Sequence, residues 1–284
     1  MMSLELFQTL CFPVMFVAYA FSVATAQDRA RRVVEIVALA ASAWIGEHTV
    51  IEAYLFYFYD DGWWLKLGHV PLLVALIWPM VVLSARDCVT HLFAPASRLK
   101  KALMVAGIVI FDASIMEVIA VEAGYWTWFE AGYLHVPLMG IVGWGCFGFI
   151  ACLWLDALER GDRIAAHGLT PVITVLGTHA LLLALWWGAL RWVLRGDLGP
   201  NALVGFGVIA VLFGIAVWRA RKLGLGVLPH TVTAPRVMAT SVFVALLMSL
   251  PDASSQWVHL GAAAVPYLIA LRWSSLRSSG AVSD

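Results

Sequence analysis

The chain has 284 residues, of which 62% are hydrophobic and 13% charged, about half the ~25% charged residues usual in soluble domains. With a mean hydropathy of +0.87, its apolar surface excludes a water-soluble fold and identifies lipid as the solvent. The 18 basic and 18 acidic residues cancel, which speaks against nucleic acid or another polyanion as partner.

A helical crossing needs about 20 apolar residues. Candidate spans fall near residues 6–26, 33–58, 69–85, 102–123, 136–155, 171–194, 202–218, 237–250 and 257–272, the eighth short and weak. The expected fold is an all-α transmembrane bundle of eight or nine helices, forming a single integral membrane domain over residues 1–284. The first span is followed by its basic cluster, Arg29, Arg31 and Arg32, rather than preceded by it, so it reads as a retained helix. No soluble domain, linker or internal repeat stands out. Alternate connections and the tail hold 15 Lys and Arg residues against 3 on the other side (Lys66, Arg191 and Arg195). By the positive-inside rule this puts the N-terminus outside and the C-terminus in the cytoplasm, as expected for a bacterial inner membrane. Trp63, Trp64, Trp126, Trp128 and Tyr133 fall in outer connections, where amphipathic rings favour the interface. Cys11, Cys88, Cys146 and Cys152 show no metal-ligand spacing and read as buried thiols.

Ionisable groups inside membrane helices are costly and are functional candidates for that reason. The second span carries Glu47, His48 and Glu52, the fourth Asp112, Glu117 and Glu122, and the sixth His179. Counting from span starts near 33 and 102 puts Glu47 and Asp112 near mid-bilayer, with Glu52 and Glu117 about 7.5 Å nearer the outer face. All Lys and Arg fall in the connections or the tail of this reading, so none is expected at that depth. Two carboxyls facing each other in a dry site cannot both stay ionised, and the one that keeps its proton can donate it to an alkene or epoxide. A neighbouring carboxylate or His then serves as base. The faces of Tyr54, Tyr57, Trp126 and Trp128 suit a carbocation. The structural alternative is that such acids bond polar groups across helices. His48 and Glu52, four apart, fit an ordinary same-face pair. His69, His91, His135 and His230 sit near span ends, and His179 reads as a hydrogen-bonded core residue. Neither acid-bearing span has the Glu-x-x-His of di-iron bundles, and no histidine cluster is present, so no metal and no redox cofactor is expected.

The motif order carries a resemblance. Trp44-Ile-Gly-Glu47 leads through Tyr57-Phe-Tyr59 to Leu67-Gly-His-Val-Pro71 and Trp78-Pro79. Phe111-Asp112 then leads through Met116-Glu117 to Gly124-Tyr-Trp126-Thr-Trp128, Val136-Pro137 and Gly143-Trp144. Over about residues 44–145 this resembles the membrane carotenoid hydratases, the family of bisanhydrobacterioruberin hydratase and γ-carotene 1′-hydratase. The chain departs from that pattern at Phe111, where the family has Trp, and at Met116-Glu117, where it has Asp-Pro. The resemblance implies hydration of the terminal double bond of an acyclic carotenoid. Asp112 or Glu117 would be the acid and Glu47 the base or orienter, with Trp78 and Trp144 beside the substrate. A second likeness uses the same residues. His48-x-x-x-Glu52 with Glu117 is similar to the sterol isomerases related to emopamil-binding protein, and membrane terpene cyclases also protonate alkenes with intramembrane acids. The reading outside enzymes is a proton-coupled or lipid transporter, for which paired repeats with broken helices are the expected mark.

Overall fold

In a computed structural model of the chain, residues 1–93, 97–130, 132–161, 164–190, 199–222 and 228–264 are described. Helices α1 (Leu4–Thr25), α2 (Arg29–Tyr54), α3 (Leu72–Phe93), α4 (Arg98–Glu122) and α5 (Leu138–Gly161) come first. A 3₁₀ segment (Ile164–Leu169) leads into α6 (Thr170–Leu185), which runs on as a π-turn (Trp186–Leu190). Then come α7 (Gly199–Lys222), α8 (His230–Met248) and α9, residues 254–264. Seven described helices are long and apolar enough to cross a membrane, as an all-α integral membrane protein requires. The end of the ninth expected span, and Arg163, Arg191, Arg195, Arg272 and Arg277 of the orientation count, lie outside the described residues.

The helix starts follow from their caps. Ser3, Asp28 and Ser97 each accept the backbone N–H three residues on, satisfying an orphan donor at the starts of α1, α2 and α4. Helix α3 sits centrally, touching α1, α2, α4, α5, α7 and α8. The eighth expected span was too short. Helix α8 begins at His230 and runs 19 residues, because the charge of Arg236 in its first turns is neutralised by Asp112 rather than left in a loop.

A second correction concerns repeats: the structure contains one. Helix α2, strand β1 (Tyr57–Tyr59), the tight β2–β3 ladder (Lys66–Leu67 with Val70–Pro71) and α3 form one unit. Helix α4, strand β4 (Trp126–Trp128), a Tyr133–Val136 bridge and α5 form its copy. The Leu67–Val70 pair and the Tyr133–Val136 bridge close the same turn, each through left-handed backbone (Gly68 φ 63°; Leu134 φ 49° and His135 φ 66°). His69-Val-Pro71 and His135-Val-Pro137 occupy equivalent places before α3 and α5. Strands β1 and β4 pair antiparallel about Phe58 and Thr127, so the two loops clasp each other at one end of the bundle. The repeat escapes notice in the sequence because, apart from Glu47 with Glu117 and Trp78 with Trp144, its helices share little but hydrophobicity, and the rest of what they have in common lies in the turns.

At the other end, Arg86 lies inside α3, not in a connection as its charge suggested, and is 3% exposed. Its guanidinium donates to Asp156, pairs with Glu159 at 2.6 Å and lies 3.8 Å from Glu35, while Lys101 also reaches Asp156 at 3.0 Å. This network ties α2, α3, α4 and α5 together below the site.

Candidate active site

Helix α4 ends in a Schellman turn. Gly124, at φ 75°, donates to Val121 and Tyr125 donates to Ala120. The reversal folds β4 back over the helix end, where Trp126 and Trp128 donate to Oε2 of Glu117 at 2.8 and 3.3 Å. Trp144, seven residues after Pro137, donates to Oε1 at 2.7 Å. The first unit does the same for Glu47. Tyr57 and Tyr59 donate to Oε2, the latter at 2.9 Å, and Trp78, seven residues after Pro71, donates to Oε1 at 2.9 Å. A carboxylate accepts about four hydrogen bonds. Each glutamate therefore keeps one open position, on Oε1.

The two cradles touch donor to donor. Trp78 stacks on Trp144 with centroids 4.1 Å apart, Tyr57 meets Trp128 at 4.6 Å, and Tyr59 meets Trp126 edge-on at 5.8 Å. Both glutamates line one cavity, walled mostly by apolar and aromatic side chains such as Val50, Ile77, Met139 and Phe147. Burial, followed by the negative charge of Glu47, holds the Tyr57 and Tyr59 hydroxyls well above the usual phenol range, so they stay donors at neutral pH. Close packing sets the second cradle. A Cβ on Gly140 would come within 2.5 Å of the Trp128 ring. Gly140→Ala is expected to push Trp128 off Glu117 and lower turnover about three- to ten-fold, the worth of one hydrogen bond, as checked by rate at unchanged protein yield.

Of the residues singled out in the sequence, Glu47, Glu117, Tyr57, Trp78, Trp126, Trp128 and Trp144 converge on this cavity. Glu47 and Glu117 lie 18 and 19 residues into their helices, which start at Arg29 and Arg98. The depth match is therefore between these two and not between Glu47 and Asp112. Asp112 is not among the cavity's lining residues. It forms a two-oxygen ion pair with Arg236 at 2.6 Å, and Arg236 also donates to Ser84. The expectation that no cation reaches that depth is corrected by this pair. Asp112→Asn is expected to cost about 1–3 kcal/mol in stability with turnover within a few-fold of normal, as read by unfolding midpoint and product yield.

Glu52 and His48 also stand apart from the cavity lining. Glu52 pairs with His69 at 2.7 Å on exposed surface, and the His48 ring is stacked between Trp44 and His69. Tyr54 stands one step behind the wall, through His179. Thr49 spends its proton on the Ile45 and Gly46 carbonyls, so it accepts from His179 Nε2 at 2.9 Å, and Nδ1 accepts from Tyr54 at 3.0 Å. Glu122, at the end of α4, accepts from Gln256 at 3.0 Å. Tyr59 is a member of the cradle to which its place in the sequence assigns no role. The signal was the aromatic-x-aromatic spacing shared by residues 57–59 and 126–128. Among the described residues no group of three or more His, Cys, Asp or Glu is arranged to hold a metal.

A family model described as "Carotenoid biosynthesis protein" matches residues 6–212, which takes in both repeat units and every cavity-lining residue but Phe243. No curated protein and no solved structure matches the chain.

Proposed function

The chain belongs to the carotenoid biosynthesis protein family, and from that premise we propose that it is a carotenoid hydratase, adding water across the terminal double bond of an acyclic carotenoid. The observation that carries this reading is the pair of donor-cradled glutamates in one apolar cavity within a membrane protein. Glu117, held by indole N–H groups alone, is the proton donor. Glu47, held by two phenols and one indole, is the carboxylate, because a phenol is the more acidic donor and makes the stronger charge-assisted bond.

The π electrons of the alkene take the Glu117 proton and form a C–H bond, leaving a tertiary cation. Water adds to the cation and its surplus proton passes to Glu47. A proton shift between the two carboxyls restores the starting state. The faces of Trp78, Trp144 and Trp128 supply negative quadrupole to the cation without reacting with it. No redox step occurs. The chain acts as one integral membrane domain, with its N-terminus outside and C-terminus inside a bacterial inner membrane, and takes its substrate from the bilayer. The isomerase reading loses support because His48 and Glu52 do not line the cavity. A parallel repeat also occurs in transporters, but the family points to biosynthesis.

Expression in a bacterial host making lycopene tests the proposal by mass spectrometry. A product heavier by one water supports it. A new product of unchanged mass replaces hydration with cyclisation or isomerisation, and no product with any acyclic carotenoid overturns it.

A further inference from the structure

Hydration, unlike isomerisation or cyclisation, needs a water held inside an apolar cavity until the cation forms. An ordered water requires about two to four polar partners. Most polar groups of this cavity are already engaged. Tyr57, Tyr59 and Trp78 donate to Glu47, and Trp126, Trp128 and Trp144 to Glu117. Trp63 donates to the Tyr125 carbonyl, and both ring nitrogens of His179 are satisfied. Thr178, on α6, lines the same cavity, and its Oγ1 is buried with no hydrogen-bond partner among the described residues.

This is unusual within the molecule. Thr9, Thr25, Ser42, Thr49, Thr90, Thr240 and Ser241 each return their hydroxyl to the carbonyl four residues back, the ordinary recourse of a helical Ser or Thr. Thr174 shares the lack of a partner but does not line the cavity. Two contacts set Thr178 beside the turn of α2 that carries Glu47. The Thr49–His179 hydrogen bond lies on one side, and on the other the Val175 side chain lies 3.9 Å from where a Gly46 Cβ would stand.

We infer that Thr178 is the water-binding residue of this site, its free hydroxyl and the open Oε1 positions of the glutamates together holding the nucleophilic water. This rests on the hydratase reading above. With the water in place, the cation forms a C–O bond and the water proton goes to Glu47. Without it, the cation gives a neighbouring C–H proton to Glu47 and returns an alkene, unchanged in mass or with its double bond moved. Thr178 thereby decides between hydrate and alkene at a point after protonation.

The test is product partition in D₂O with purified protein and lycopene, comparing wild type, Thr178→Val and Thr178→Ser. Each protonation that is not followed by water addition leaves deuterium in the recovered alkene. Thr178→Val should lower the ratio of hydrate to deuterated alkene about ten-fold, the worth of one hydrogen bond to the water, while alkene labelling persists. Thr178→Ser should restore the ratio. An unchanged ratio in Thr178→Val, or an equal fall in Thr178→Ser, overturns the assignment while hydration itself stands. A fall in hydrate and labelled alkene together also overturns it, since that marks a structural role. If the wild type forms no hydrate, the hydratase reading fails first and the water site with it.

Discussion

Replacing Glu117 by Gln is expected to lower turnover by about 10²–10⁴-fold, the usual loss when a positioned general acid is removed. The amide keeps the shape of the side chain, and its oxygen can still accept from Trp126 and Trp128, while its NH2 gives up only the bond from Trp144, so most of the cradle is kept. What it cannot do is deliver a proton to carbon. Glu47→Gln should fall by a similar factor for the opposite reason, since an amide neither takes the water proton nor balances the cation. The two variants should differ in D₂O. Glu117→Gln should leave recovered alkene unlabelled, because no protonation occurs. Glu47→Gln should show slow labelling, because protonation still occurs and reverses. Both should elute as folded protein in detergent at wild-type yield. Normal turnover in either variant would remove that glutamate from the mechanism, and labelling in Glu117→Gln but not in Glu47→Gln would exchange their roles.

Replacing Arg86 by Met is expected to cost about 3–5 kcal/mol in stability, because it strips a buried charge network of its central cation. Asp156 and Glu35 are nearly as buried as Arg86, and the cations that remain compensate them only in part, Lys101 reaching Asp156 at 3.0 Å and Arg32 lying 3.8 Å from Glu35. Methionine fills much of the volume, so the loss reports uncompensated charge rather than a cavity. The deficit should therefore narrow as pH falls and the carboxyls take up protons. Unfolding midpoints in detergent at two pH values measure this. A loss below about 1 kcal/mol, or a deficit that widens in acid, would show that the cluster is not held by Arg86. Turnover of the protein that remains folded should change little, since the network and the carboxyl cavity share no residue.

The amino-acid sequence alone determined the solvent of this protein and most of its helices, because a run of about 20 apolar residues has few alternatives to spanning a bilayer. It also exposed the candidate chemistry. Glu47, Glu117, Tyr57 and the four tryptophans at 78, 126, 128 and 144 are residue types whose placement in such a chain needs a reason, and each lines the cavity. The partnering of the acids was left to tertiary structure. Glu47, Asp112 and Glu117 look alike along a helix, and depth counted from uncertain helix starts cannot separate positions five residues apart. Helix α8 brings Arg236 to Asp112 from 124 residues away, and the two repeat units bring Glu47 and Glu117 to one cavity. Arg86 shows the same limit. A cation near a span end reads as a loop charge until three acids from other helices are seen around it. Thr178 had no signature at all, since a hydroxyl acquires meaning only when its neighbours are satisfied and it is not. Apolar length is a local property of the chain and can be read locally. Charge pairing, hydrogen-bond satisfaction and the matching of two turns are relations between distant segments, and only packing decides them.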